Sequence, residues 1–480
     1  LPYTLMYSSG TTGGPPKATA CSKKGWRSSN CSPGAFANIS DVSERRGVSY
    51  LSLSHGADRG IAWHAAFAGG SVGFARGEGN MEGCLADLRE LRPTFFLGMA
   101  TFWTALFQRH VALLRPEVDA ALRALSPPSA AFAKAAPQGA SSWDALRSAY
   151  LTTRTGGSLR KRLLDEARAE TGGELLCAVT GGSRTPAEVR DFMHFLLQDG
   201  NASSVKDGYG STEFPGISTN GVVADDVEIR LAPTANGAYG PDDLPNPRGE
   251  ILVRRRNGEQ TSYWNDPVRT GDVWDSDGWF HTGDVGEICW HEKHEPNSCA
   301  TIKSATGHAW AHRSILHVID RCAALEEIYL DGDSVWIATQ ELENDVYGAV
   351  PEFAHLMLVS DRNAGDGGLV AIVELSRNEM QLRGGGAMSE IDCLKLLQSR
   401  GKAAGKPFHE IPSSCVVEAS TPWSERDGLL TVTGKVNRNA VREKYHMRWM
   451  KAQQMAATAT ASASATDCEP VVTSRQATTN

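Results

Sequence analysis

The segment Tyr7-Ser-Ser-Gly-Thr-Thr-Gly-Gly-Pro-Pro-Lys17 constrains this chain more than any other. It follows directly on the apolar run Leu1-Pro-Tyr-Thr-Leu-Met-Tyr7, which reads as a buried strand. Glycines let a backbone come close to an anion, and hydroxyls beside exposed N–H groups offer donors to phosphate oxygens. A lysine closing the loop adds a point charge for the same phosphates. The spacing is not the GxxxxGK(S/T) loop of nucleotide triphosphatases. A plain turn rich in serine, threonine and glycine is the bland alternative.

At 480 residues the chain exceeds one ordinary domain, and ~150 residues per unit predicts about three units. Apolar side chains at 41%, joined by 48 glycines, suit a globular interior and exclude a wholly disordered chain. The formal net charge of -8 argues against general nucleic-acid binding. No apolar stretch reaches the ~18 uninterrupted residues of a membrane span. The nearest, Phe95 to Phe107, is short and carries Thr101 and Thr104. Ten cysteines without a CxxC pair do not make a disulfide scaffold. The expectation is a soluble, intracellular, multidomain α/β protein. The chain begins at Leu1, with neither a methionine nor the shape of a signal peptide. Its first strand would need neighbours on both sides, so the sequence is expected to be a piece whose N-terminal part is absent.

Between Tyr50 and Phe74, short apolar runs alternate with glycines and predict strands joined by tight connections. Apolar residues recur at helical spacing up to Leu91, Pro93 stops the helix, and a strand follows. Leu159 to Ala169 predicts a charged helix, and Glu174 to Thr180 a strand ending in Gly181-Gly182. A Pro/Gly/Asn/Asp cluster marks a loop from Pro233 to Arg248, and Gly249 to Arg254 reads as strand. Strand and helix runs resume after Arg321, at Leu356–Ser360, Leu369–Leu375 and Ile391–Ser399. Residues 115–160 have no settled pattern, and 289–317 form an unusual polar, His-rich insert. Within it Cys289, His291, His294 and Cys299 are ligand types for zinc, but their spacing fits no zinc module. Residues 453–480 are Ala/Thr/Ser-rich and predict a disordered tail.

SSGTTGGPPKA resembles the phosphate-binding signature (T/S)SGTTGxPKG of the adenylate-forming enzymes. This AMP-binding superfamily comprises acyl-CoA synthetases, luciferases and peptide-synthetase adenylation domains. Two departures are an extra residue among Gly14, Pro15 and Pro16, and Ala18 in place of glycine. Other segments follow in family order. Leu51-Ser-Leu-Ser-His55 with Arg59 resembles LPLxH…R, and Gly181-Gly182-Ser183 the GG(A/S) turn. Tyr209-Gly210-Ser211-Thr212-Glu213 resembles GYGxTE, and Trp279-Phe280-His281-Thr282-Gly283-Asp284 the (W/Y)FxTGD motif. Val318-Ile-Asp320-Arg321 resembles (I/V)xxR, and Gly434-Lys435-Val-Asn-Arg438 the C-terminal GKxxR.

The resemblance implies an α/β fold: a large N-terminal domain of mixed sheets flanked by helices, truncated here, plus a small α+β C-terminal domain on a hinge. The expected divisions are 1–320, 321–450 and a tail at 451–480. It also implies the site. Ser8, Ser9, Gly10, Thr11, Thr12, Gly13 and Lys17 would hold phosphates, and Gly181, Gly182 and Ser183 would pack against adenine. Tyr209 would stack on adenine beside Gly210, Thr212 would meet the α-phosphate, and Glu213 would hold Mg²⁺. Asp284 would accept the ribose hydroxyls, with Arg321 also at the nucleotide, and Lys435 would drive adenylation. His55 borders the active centre in that family. Taken alone, a histidine ending an apolar strand, as His55 is expected to, is more often a core residue bonded to backbone. Adenylation itself needs converging cations, because a weak carboxylate nucleophile attacks an α-phosphate carrying developing negative charge. Mg²⁺ suits few carboxylates plus phosphate oxygens and water.

The LSLSH…R, DLRELRPTFF and DGWFHTGD segments lean toward a long-chain fatty acid–CoA ligase that uses ATP, Mg²⁺ and CoA. The acyl-adenylate would form with release of pyrophosphate, and CoA would then displace AMP. One alternative passes the acyl group to a carrier or reductase. Another is a catalytically impaired, truncated nucleotide-binding homologue, suggested by the extra loop residue and by Cys322-Ala-Ala-Leu where the family has its hinge. Intact Thr212, Glu213, Asp284, Arg321 and Lys435 oppose it. Peripheral association with a membrane, such as the cytoplasmic face of the endoplasmic reticulum, is compatible with this reading.

Overall fold

A computed structural model describes residues 2–8, 17–30, 39, 41–76, 81–110, 165–197, 205–290, 302–303, 309–310, 314–321, 325–330, 333–348, 350–360, 368–376, 388–431 and 434–449. Thr4–Ser8 (β1) and Lys17–Cys21 (β2) form an antiparallel hairpin with Ser8 directly opposite Lys17. The first strand is therefore the edge of a small sheet and not a fully buried strand. Met6 is buried, whereas Tyr3 and Tyr7 are about half exposed. A pleated strand with one wet face alternates in this way.

A seven-stranded sheet follows. Arg46–Ser49 (β3), Ser71–Phe74 (β4), Phe95–Leu97 (β5), Cys177–Gly181 (β6) and Val205–Tyr209 (β7) are parallel, in the order β4-β3-β5-β6-β7. Ser218–Thr219 (β8) and Val222–Val223 (β9) extend it as an antiparallel hairpin. Parallel strands need long crossovers, and the helices Gly56–Phe67, Met81–Leu91 and Ala187–Leu196 lie in them. Of the Tyr50–Phe74 stretch, expected to be strands, Ser71–Phe74 is one, whereas Gly56–Phe67 is helix. Its periodicity is hard to read because the buried positions are Asp58, Gly60, Ile61 and Ala65, while Trp63 and Phe67 are exposed. The next helix ends at Leu91, as Pro93 requires, and β5 begins at Phe95. Phe96, Phe102 and Trp103 pack edge to face in the core, with centroids 5.0, 5.4 and 5.6 Å apart. The buried Trp103 Nε1 donates to the Val179 carbonyl at 3.0 Å, which joins this cluster to β6.

Val227–Ala232 (β10), Arg248–Arg255 (β11), Phe280–Trp290 (β13) and Ser314–Arg321 (β16) form an antiparallel sheet in that order, while Ser262–Tyr263 (β12) joins β2. Ile302–Lys303 (β14) and Ala309–Trp310 (β15) are a short pair. Both ends of the 289–317 insert are therefore strand, with Cys289 opposite Ile315. Its His291, His294 and Cys299 lie outside the described residues, as does 450–480.

Leu325–Leu330 (β17) and Asp333–Ala338 (β18) make a hairpin that leads through a short helix into a single π turn, Glu343–Tyr347. Phe353–Val359 (β19), Val370–Leu375 (β20) and Ser414–Glu418 (β21) form a mixed three-stranded sheet. Successive residues feed its opposite faces. Leu358, Ala371 and Val373 meet Tyr347 and Leu397, whereas Met357, Val370 and Ile372 meet Trp423, Tyr445 and Trp449. The helices Glu390–Ala403 and 438–449 cover these two faces. A sheet covered on both sides explains the unbroken apolar runs in its strands. Among the described residues no helix is long and apolar enough to cross a membrane.

Candidate active site

Ser9, Gly10, Thr11, Thr12 and Gly13 lie outside the described residues. Ser8 and Lys17, on either side of that loop, pair across the β1–β2 hairpin. Lys17 directs its ammonium over the ring of Tyr263, 5.2 Å from the centroid. Tyr263 stands there because β12 pairs with β2, with Tyr263 opposite Thr19. Its hydroxyl donates to Glu213 Oε1 at 2.8 Å, and Thr261 Oγ1 donates to the Glu213 carbonyl at 2.6 Å. Burial, together with the adjacent Glu213 carboxylate, pushes the Tyr263 phenol up, so it remains a proton donor. Nothing in local pattern singled out Tyr263. The hairpin and the pairing of β12 place it between the two motif residues.

Glu213 and Thr212 belong to the turn that follows β7. Gly210 begins this turn, and a Cβ there would lie 2.7 Å from the Gly216 nitrogen and 3.1 Å from the Phe214 carbonyl oxygen. Only glycine fits so close an approach of backbone. The turn closes with Ser211 N–H donating to the Phe214 carbonyl and Phe214 N–H donating to Ser211 Oγ, each at 3.1 Å. At the end of β7, the Tyr209 hydroxyl donates to Asp284 Oδ2 at 2.8 Å. Asp284 follows Gly283, whose φ of +69° turns β13 so that the carboxylate meets Tyr209. Its backbone pairs with that of Arg321 in β16. Two motifs 75 residues apart are thereby joined.

On the other side of β7, Gly181 approaches so closely that a Cβ would sit 2.6 Å from the Gly208 carbonyl oxygen. Gly182 follows with φ +78°, Ser183 is exposed, and Thr180 hydrogen-bonds to Thr185 at 2.7 Å across the base of the turn. The Lys435 ammonium donates to the Gly182 carbonyl. Lys435 itself is held by its backbone N–H donating to Thr431 Oγ1 at 3.1 Å. His55 is the residue before the helix Gly56–Phe67 and does not end a strand. Asp58 anchors the preceding turn by accepting the N–H groups of Tyr50 and Leu51 at 3.1 and 3.2 Å. Among the described residues the buried His55 Nδ1 has no hydrogen-bond partner. Burial first, and the Lys435 charge second, hold its imidazole below the ordinary range, so it is neutral at pH 7.

The described candidates therefore form one connected set. Lys17, Tyr263 and Glu213 are linked in turn, Tyr209 and Asp284 flank the same turn, and Gly182 and Lys435 lie beyond the neighbouring strand. Lys17 and Lys435 give this set two cations that suit a polyanionic ligand, beside the carboxylates of Glu213 and Asp284. No group of three or more His, Cys, Asp or Glu that could hold a metal occurs among the described residues.

The family model for AMP-binding enzymes matches residues 2–263. The chain is 24% identical over 468 residues to a peroxisomal long chain acyl-CoA synthetase of Arabidopsis thaliana, covering 92% of this chain and 59% of that protein. It is 24% identical over 452 residues to a carboxylic acid reductase of Mycobacterium tuberculosis, covering 92% of this chain and 32% of that one. It thus spans less than two thirds of these relatives. Its fold is that of the adenylation domain of a carboxylate reductase from Mycobacterium chelonae, with a TM-score of 0.70, 23% identity, and coverage of 93% of this chain and 59% of that one. With the family model matching more than half of its length, the chain belongs to the AMP-binding enzyme family.

Proposed function

We propose that this protein activates a long-chain fatty acid with ATP and transfers the acyl group to CoA. The observation that carries the reading is the seating of Lys435 on the Gly182 carbonyl, across 253 residues of sequence. In this reading Tyr209 and Gly181 to Ser183 take the adenine, Asp284 and Arg321 the ribose, and Lys17 with the preceding loop the outer phosphates. Gly210 brings backbone close, and Thr212 meets the α-phosphate. Glu213 suits Mg²⁺: Tyr263 engages one oxygen, and a carboxylate has about four acceptor positions to share. Bound there, Mg²⁺ would neutralise phosphate charge, with water and phosphate oxygens as its remaining ligands. The substrate carboxylate oxygen attacks the α-phosphorus, the bond to pyrophosphate breaks, and Lys435 neutralises charge between the two reactants. The CoA thiol sulfur then attacks the acyl carbon, AMP leaves, and the thiol proton passes to solvent. His55, neutral and beside Lys435, borders the carboxylate. Residues 1–320 carry the nucleotide site apart from Arg321, and 321–450 carry Lys435. The supply of ATP and CoA fits an intracellular location.

A second reading keeps the first step and delivers the acyl group to a carrier thiol. The likeness to a carboxylic acid reductase over 92% of the chain supports it. The test supplies Mg²⁺-ATP and a fatty acid to the full-length protein, with and without CoA. AMP, pyrophosphate and acyl-CoA are expected. Release of ADP refutes the adenylating chemistry, and acid-dependent pyrophosphate release without acyl-CoA selects the second reading.

A further inference from the structure

Lys435 belongs to a closed circuit of contacts. Three residues after it, Arg438 grips Glu343 with Nη1 2.7 and 2.8 Å from the two carboxylate oxygens. Arg438 Nη2 also donates to Thr339 Oγ1 at 3.0 Å and to the Leu358 carbonyl at 2.8 Å. Glu343 opens the π turn Glu343–Tyr347, a geometry that is rare and concentrated at functional sites. Asp345 lies two residues on, and residues two apart on a helical turn do not share a face. Its carboxylate takes the guanidinium of Arg184, with Nε 3.0 Å from Oδ1 and a second contact from Nη2. Arg184 sits two residues after Gly182, in the turn stapled by Thr180 and Thr185. The Gly182 carbonyl then accepts Lys435 and completes the ring.

Two further contacts bring the same segment to the same place. Gln108 Nε2 donates to the carbonyls of Gly348 and Val350, both at 3.2 Å. Arg400 donates to the Val346 carbonyl at 2.8 Å and lies 3.5 Å from Glu188. We infer that Arg184 and Asp345 are positioning residues for Lys435: their ion pair, relayed through the π turn and Arg438, sets where the ammonium stands relative to the Gly181–Ser183 turn. This rests on the proposed role of Lys435. Arg184 would touch neither substrate nor reacting atoms.

The test uses the full-length protein and separates the two half-reactions. Arg184→Ala and Asp345→Ala should each slow acid-dependent ATP–pyrophosphate exchange by about three- to tenfold, as expected for a part-exposed bidentate pair. The double variant should be no slower than either single one. The conversion of supplied acyl-adenylate and thiol should stay at the wild-type rate, and the charge-swapped Arg184→Asp/Asp345→Arg protein should recover exchange. Asp345→Asn, nearly isosteric, replaces Asp345→Ala if that variant fails to fold. Unchanged exchange, additive losses, or equal slowing of both half-reactions would overturn the inference. Lys435→Ala runs alongside. If it is silent, the reading of Lys435 falls first; if it is crippled while Arg184→Ala is not, only the positioning role falls.

Discussion

Tyr263→Phe removes one atom from the proposed site and leaves its shape. The lost hydroxyl donates to Glu213 Oε1 at 2.8 Å, whereas the retained ring still lies beneath Lys17. A hydrogen bond to a charged group contributes ~1.5–3 kcal/mol net. Tyr263 is only 7% exposed, but Glu213 is half-buried, so solvent lowers the cost to about 1–2 kcal/mol, a factor of about 5–30. If Glu213 holds Mg²⁺, the loss should appear as looser metal binding with little change in the saturated rate. The assay is acid-dependent ATP–pyrophosphate exchange titrated with Mg²⁺, together with a melting curve of each protein. The half-saturating Mg²⁺ concentration should rise about 5- to 30-fold, and the melting temperature should fall by only a few degrees. An unaltered Mg²⁺ requirement in a folded variant would refute the reasoning. The hydroxyl would then be an ordinary buried donor that happens to reach a carboxylate.

Asp284→Ala should weaken ATP binding by roughly 2–3 kcal/mol through the loss of charge-assisted bonds to two hydroxyls, as read by calorimetry; unchanged affinity would show that the ribose lies elsewhere. Lys435→Ala should cut exchange by ~10²–10³ while sparing thiol acylation from supplied acyl-adenylate. Lys17→Ala should impair only ATP and pyrophosphate handling, and equal damage to both half-reactions by Lys435→Ala would sink its assignment. His55 titrates below its usual 6.5 in the folded state, so the unfolded chain takes up the proton first. Folding stability should therefore rise with pH through the window from the folded value up to 6.5, and be lost as pH falls through it. His55→Gln should flatten that slope in melts across this range, and an unchanged slope would assign it to other groups.

Local chemistry was legible in the sequence because glycine, hydroxyl and carboxylate spacing is a property of a few neighbouring residues. The Tyr209–Glu213 turn, the Gly181-Gly182 turn and Gly283-Asp284 each need a backbone that only their own glycines allow. The helix stop at Pro93 and the doubly covered strands Phe353–Val359 and Val370–Leu375 are local for the same reason. The helix Gly56–Phe67 was not legible, since its buried face is built of small and polar residues and its large apolar ones face outward. Nor was the half-exposed first strand, because a short apolar run does not say how many neighbours it will have.

Which side chain each motif residue meets was decided by the tertiary structure alone. Tyr263 reaches Glu213 across 50 residues, Arg184 reaches Asp345 across 161, and Lys435 reaches Gly182 across 253. The first pair depends on strand order and register, where a slip of one residue turns every side chain to the opposite face. The other two depend on how the turn after β6 packs against segments distant in sequence. Hydrophobic patterning specifies that a face is buried. Sheet topology selects the partner that waits there.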